Sequence, residues 1–142
     1  MAAQNRSAAL SQPMPAVAPG SAQPVLDRKI LLSTVEQDLG LLRELAELFF
    51  AESPALLSQI RNGIQAGEAE SVERAAHTLK GALSNFGAVS ACDAARDLEV
   101  FARQARFDGA PQLFSILERE VGRACNALSS FLQEASREGS PR

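Results

Sequence analysis

Apolar residues in the second half of this chain recur at helical spacing. Between Val72 and Phe86 they fall at Val72, Ala76, Leu79, Leu83 and Phe86, steps of four and three that make one stripe along an α-helix. The same periodicity predicts a helix over about Glu36 to Ala51, with Leu39, Leu42, Leu45, Leu48 and Phe49 on its apolar side. A brief helix from Asp27 to Thr34 precedes it, with Asp27 as N-cap. Ser53-Pro54 reads as an N-cap followed by proline at the first helical position, so a new helix is expected there, carrying Leu57, Ile60 and Ile64 until Gly67 ends it.

The next helix runs from about Glu68 to Phe86. Gly87 suits the left-handed residue beyond a helix end, so the chain should turn and run back over Val89 to Ala105, burying Ala91, Ala95, Leu98 and Ala102. After the turn Asp108-Gly109-Ala110-Pro111, a long stripe follows at Phe114, Leu117, Val121, Cys125, Leu128 and Phe131. No segment alternates with period two, and valine and isoleucine are sparse. The expected fold is all-α: an antiparallel up-and-down four-helix bundle with additional N-terminal helices. Residues 1–24, rich in Ala, Ser, Gln and Pro, read as a disordered tail or linker, residues 25–136 as the bundle and 137–142 as a fraying tail.

Composition narrows the possible partners. The net charge of −3, without any basic run, argues against nucleic acid or an anionic membrane, because phosphate backbones need a basic surface. A protein partner fits better. The most apolar stretch, Ile30 to Phe50, is interrupted by Glu36, Asp38, Arg43, Glu44 and Glu47, so no membrane span is expected. No apolar run follows a basic start at the N-terminus, so no secretory signal is expected. Cys92 and Cys125 lie inside helical patterns without metal-ligand spacing and read as reduced, small core residues of a cytoplasmic protein; no metal site is expected.

The single histidine, His77, is the candidate chemical group. At roughly 100° per residue it lies about 140° from the centre of its helix's apolar stripe, on a polar flank with Glu73, Lys80 and Ser84. Its ring should therefore face solvent or a groove, although an inert exposed histidine satisfies the angle equally well. The neighbours add weight. Lys80 and Gly81 follow by three and four residues and so adjoin it on the next turn. Lys80 places an ammonium beside the ring, in a chain with twelve Arg and only two Lys. Gly81, about 1 kcal/mol worse than Ala in a helix interior, leaves a gap where another backbone could approach. Taken singly, Lys80 could be a solvated charge and Gly81 a packing contact.

If the hairpin turns near Gly87-Ala88, His77 pairs with the neighbourhood of Glu99. Glu99 could then accept from one ring N–H and leave the other nitrogen as an exposed lone pair, as a nucleophilic imidazole requires. Arg103, four residues on, faces the same way and is either a binding residue or half of a surface ion pair. No nucleotide-binding glycine motif is present, and Ser84 has neither an oxyanion hole nor a third group with which to make a hydrolase. A histidine without a substrate pocket suggests a relay.

The run His77-x-Leu79-Lys80-Gly81, followed after five residues by Gly87-Ala88, resembles the signature of histidine-containing phosphotransfer (HPt) domains of bacterial and fungal phosphorelays. The wider pattern from Leu26 to about Phe131, including Phe49 to Pro54 and Leu98-Glu99, resembles them too. The resemblance implies a passive carrier without its own ATP site. In such domains the histidine takes a phosphoryl group from an aspartyl phosphate on a receiver domain and passes it on. By the same resemblance His77 is phosphorylated through the nitrogen away from the backbone, Lys80 offsets the phosphoryl charge, Gly81 gives access and Glu99 holds the ring. Ser84 and Arg103 are then binding residues beside it. The implied partners are response-regulator receivers and a hybrid histidine kinase, with the chain acting as a monomer; the receiver brings the Mg²⁺, so no cofactor is expected here. A docking module of the same shape that binds a receiver without being phosphorylated is the alternative.

Overall fold

The computed structural model describes residues 25–139, with side chains as far as residue 137. Five helices follow one another: α1 (Arg28–Thr34), α2 (Leu39–Ala66), α3 (Ala69–Asn85), α4 (Val89–Arg103) and α5 (Ala110–Gly139). Each long helix packs on the next and α5 returns against α2, so the four close a ring around one core while α1 covers an end. Short connections make consecutive helices antiparallel, which is the expected up-and-down bundle. The tail expected over residues 1–24 lies outside the described residues. At the other end α5 continues to Gly139, past the boundary read from the sequence, and residues 140–142 lie outside the described part.

The region between residues 36 and 67 departs from the sequence reading. Glu36 and Gln37 are left-handed, with φ of 52° and 65°, so the helix starts only at Leu39, where the Asp38 carboxylate accepts from the Leu41 N–H at 3.1 Å. No helix begins at Ser53-Pro54. Instead α2 runs through both residues for 28 residues. Its buried positions, Leu42, Ala46, Phe49, Ser53, Ile60 and Gly63, keep one face in the core across the proline. Pro54 itself is exposed, so the bond its nitrogen cannot donate is lost on the solvent side, where water substitutes. Two leucines assigned to the apolar side, Leu39 and Leu48, are exposed, and Ala46 and Ser53 take the central positions instead.

The α3–α4 hairpin follows the sequence reading closely. All five stripe residues of α3 are buried, as are Ala91, Ala95, Leu98 and Ala102 of α4. The alanines let the two helices approach closely. The turn closes α3 with two bonds, Ala88 N–H to Leu83 O and Gly87 N–H to Ser84 O, both 3.1 Å, around Gly87 at φ 68°. Glycine is required there on two counts. The left-handed backbone disfavours any Cβ, and a Cβ would stand 2.6 Å from the carbonyl oxygen of Asp27, whose own N–H donates to Gly87 O at 2.8 Å. This bond fixes the start of α1 to the hairpin turn. On α5, Phe114, Leu117, Val121 and Leu128 are buried; Phe131 and Cys125 are half-buried at the margin.

Candidate functional site

Helix α3 presents His77 outward, with 67% of its side chain exposed, while the stripe from Val72 to Leu83 binds the opposite face to the core. Directly behind the ring stands Glu99 of α4, its side chain only 5% exposed. The hairpin register brings them together: the two residues are 22 apart and centred on Ala88 at the turn. The Nδ1–H of His77 donates to Glu99 Oε2 at 2.8 Å. Nε2 is then the ring nitrogen facing solvent, and in the neutral ring it is the one that carries the lone pair.

Two cations complete the surroundings of Glu99. The Lys80 ammonium lies 2.7 Å from Oε1, and Arg103 Nη2 lies 2.9 Å from Oε2. Burial alone would push the Glu99 carboxyl up. The hydrogen bonds and charges of Lys80 and His77 outweigh it, and the group is held below its ordinary value. Glu99 therefore stays an anion and an acceptor, which fixes Nδ1 as the donor in the bond to His77. Arg103 reaches further: its Nε donates to Glu73 Oε2 on α3 at 3.1 Å, a pair centred on the same residue 88. Glu73 was placed only on the polar flank by the sequence. The register that pairs 77 with 99 also pairs 73 with 103, and that was the signal available for it.

Gly81 lies one turn beyond His77 on the exposed side, and a Cβ built there meets nothing within 4 Å. It is therefore no packing glycine; it leaves the approach to the imidazole low. Ser84 is exposed but stands about two turns from His77, apart from the Glu99 cluster, where it lines a hollow of about 160 Å³ with Ile30, Val89 and Cys92. Both cysteines are free and half-buried, and burial pushes both thiols up. Cys92 donates weakly to the Lys80 carbonyl at 3.7 Å. Among the described residues no group of three or more His, Cys, Asp or Glu could hold a metal ion, and no helix is long and apolar enough to cross a membrane.

The helical bundle that carries this site has known counterparts. The family model described as Hpt domain matches residues 44–131. The chain belongs to the Hpt domain family. This Hpt domain is also similar to histidine-containing phosphotransfer protein B (HptB) from Pseudomonas aeruginosa PAO1, whose crystal structure superposes with a TM-score of 0.73 at 30% identity, over 80% of this chain and 98% of that one. No curated protein sequence matches it. Membership gives the Hpt domain a phosphotransfer role in two-component signalling, as a carrier rather than a kinase, among receivers and kinases of phosphorelays.

Proposed function

We propose that this Hpt domain is a phosphorelay intermediate in which His77 accepts a phosphoryl group from the aspartyl phosphate of a receiver domain and transfers it to another. The observation that carries the reading is an imidazole exposed at Nε2 and anchored at Nδ1 on a buried carboxylate. In the forward step the Nε2 lone pair forms a bond to phosphorus, the acyl oxygen–phosphorus bond breaks, and the receiver's aspartate leaves as carboxylate. The ring then carries positive charge, which Glu99 offsets through the Nδ1–H while keeping that proton in place. Return of the phosphoryl group to an aspartate reverses these bonds: a carboxylate oxygen bonds to phosphorus as the Nε2–phosphorus bond breaks, and the neutral Nδ1–H imidazole is the leaving group.

Lys80 has the flexible stem needed to turn its ammonium from Glu99 to the phosphoryl oxygens. Gly81 admits the receiver's backbone beside the ring, and Ser84 and Arg103 contact the visiting domain at the rim. The transfer module on this reading is the bundle from residue 25 to the end of α5 at Gly139, and residues 1–24 are a tail or linker. Its partners are response-regulator receivers and a hybrid histidine kinase, and it works as a cytoplasmic monomer of a bacterial relay.

Incubation with a phosphorylated receiver should place an acid-labile, alkali-stable label on the wild type and none on His77→Gln. Label on His77→Gln would end the reading.

A further inference from the structure

Glu73 closes a chain of bonds that begins at the imidazole. Glu99 offers two oxygens to three donors: Oε1 takes Lys80 alone, and Oε2 is shared by His77 Nδ1 and Arg103 Nη2. The two cations differ in how they are held. Lys80 is a point charge whose ammonium is bonded, among the described residues, to Glu99 alone, at 2.7 Å. Arg103 is a planar fork whose two ends are engaged at once, Nη2 on Glu99 and Nε on Glu73. Glu73 ties the guanidinium back to α3, the helix that carries His77. Without it, Arg103 would be a long side chain, 57% exposed, with nothing beyond Glu99 to set its plane.

This difference matters when the phosphoryl group arrives. If Lys80 turns toward the phosphoryl oxygens, Oε1 of the buried Glu99 loses its cation just as Nδ1 must keep its proton. Arg103 is the charge that stays. We propose that Glu73 is a positioning residue for phosphoryl transfer at His77: by fixing Arg103 on Oε2 it keeps Glu99 an aligned anion, and His77 in its Nδ1–H form, while Lys80 serves the phosphoryl group. The inference rests on the carrier reading above and adds to it a residue on the far side of Arg103.

The test uses Glu73→Gln, which keeps size and removes charge, with phosphoramidate as a small phosphodonor that needs no docking surface. Its phosphorus–nitrogen bond breaks, ammonia leaves, and the Nε2–phosphorus bond forms. The expected result is a two- to five-fold slower labelling, about the range that one exposed ion pair supports. In ¹⁵N spectra of the unphosphorylated protein the Nδ1–H tautomer signature of His77 should weaken, with far-ultraviolet circular dichroism unchanged. Adding Glu73→Gln to Arg103→Gln should have no further effect on either readout. Unchanged labelling and an unchanged ring signature in Glu73→Gln would overturn the inference, as would equal extra losses in the Arg103→Gln background. A wild type that takes no label from a phosphorylated receiver would end the carrier reading instead, and the ring spectrum would still decide the role of Glu73.

Discussion

Nδ1 of His77 sits 2.8 Å from Oε2 of Glu99, so that an exposed ring is hydrogen-bonded to one of the few charged groups buried in the domain. The pair joins the core to the surface. Because Glu99 is the interior member, its ionisation should register in stability as well as in reactivity.

The direction of that effect is fixed. Burial works against the Glu99 anion, but Lys80 and His77 hold its carboxyl below the ordinary value of 4.5. A group depressed on folding stabilises the fold fully above its ordinary value and loses that contribution as pH falls through its folded one. Denaturant melts of wild type and Glu99→Gln from about pH 6 down to about pH 3 should therefore show the largest gap at the upper end, narrowing below 4.5. A gap that widens on acidification would contradict the assignment.

Lys80→Ala removes a partly exposed ammonium while Arg103 and His77 remain on Glu99. We expect a stability loss of about 1.5 kcal/mol, the lower end for a hydrogen bond to a charged group, because the ammonium is partly exposed although Glu99 is buried. Transfer from a phosphorylated receiver should slow about ten-fold or more, since on the proposed reading the lost charge is the one that turns to the phosphoryl group. Rapid-quench kinetics alongside thermal melts separate the two effects.

At Gly81 stability and function should move in opposite directions. The open space above its Cα means that Gly81→Ala gains helix propensity without a clash, about 1 kcal/mol. Gly81→Leu should also fold with helicity unchanged or higher, yet weaken receiver binding. Calorimetry of the two variants against a receiver checks this, and a fall in helicity would reassign Gly81 to packing.

Both the hairpin and the histidine's orientation were legible in the sequence. In α3 every fourth or third residue is apolar, Gly87 marks the reversal, and a fixed turn fixes the register, so Glu99 could be placed behind His77 from residue numbers alone. Glu73 and Arg103 obey the same register but are two polar residues on polar flanks, and nothing in their pattern set them apart from solvated charges. The sequence pattern divides helix α2 in two for a related reason. Ser53-Pro54 is a strong local start signal, whereas the continuous core face uses Ala46, Ser53 and Gly63, small or polar residues that a search for large apolar side chains passes over.

The end of α4 shows another conformation that composition does not announce. Ala105 adopts φ 53°, and the bonds from Arg106 N–H to Phe101 O and Ala105 N–H to Ala102 O form the same closing pattern that glycine serves at Gly87. A left-handed non-glycine residue costs roughly 1 kcal/mol. Ala105→Gly should recover about that much, raising Tm by about 4 °C, with phosphotransfer unaffected. A lower Tm would show that the alanine side chain contributes packing instead.

Around His77 two carboxylates, Glu73 and Glu99, stand against two cations, Lys80 and Arg103. At rest the neighbourhood is electrically even. Loose phosphate or nucleotide in solution meets no standing attraction at the imidazole, and a positive charge is released only when something draws the ammonium off its carboxylate. On the proposed reading the domain thereby offers free anions little to gather on, and a phosphoryl group held in place by a docked receiver is what draws the ammonium over.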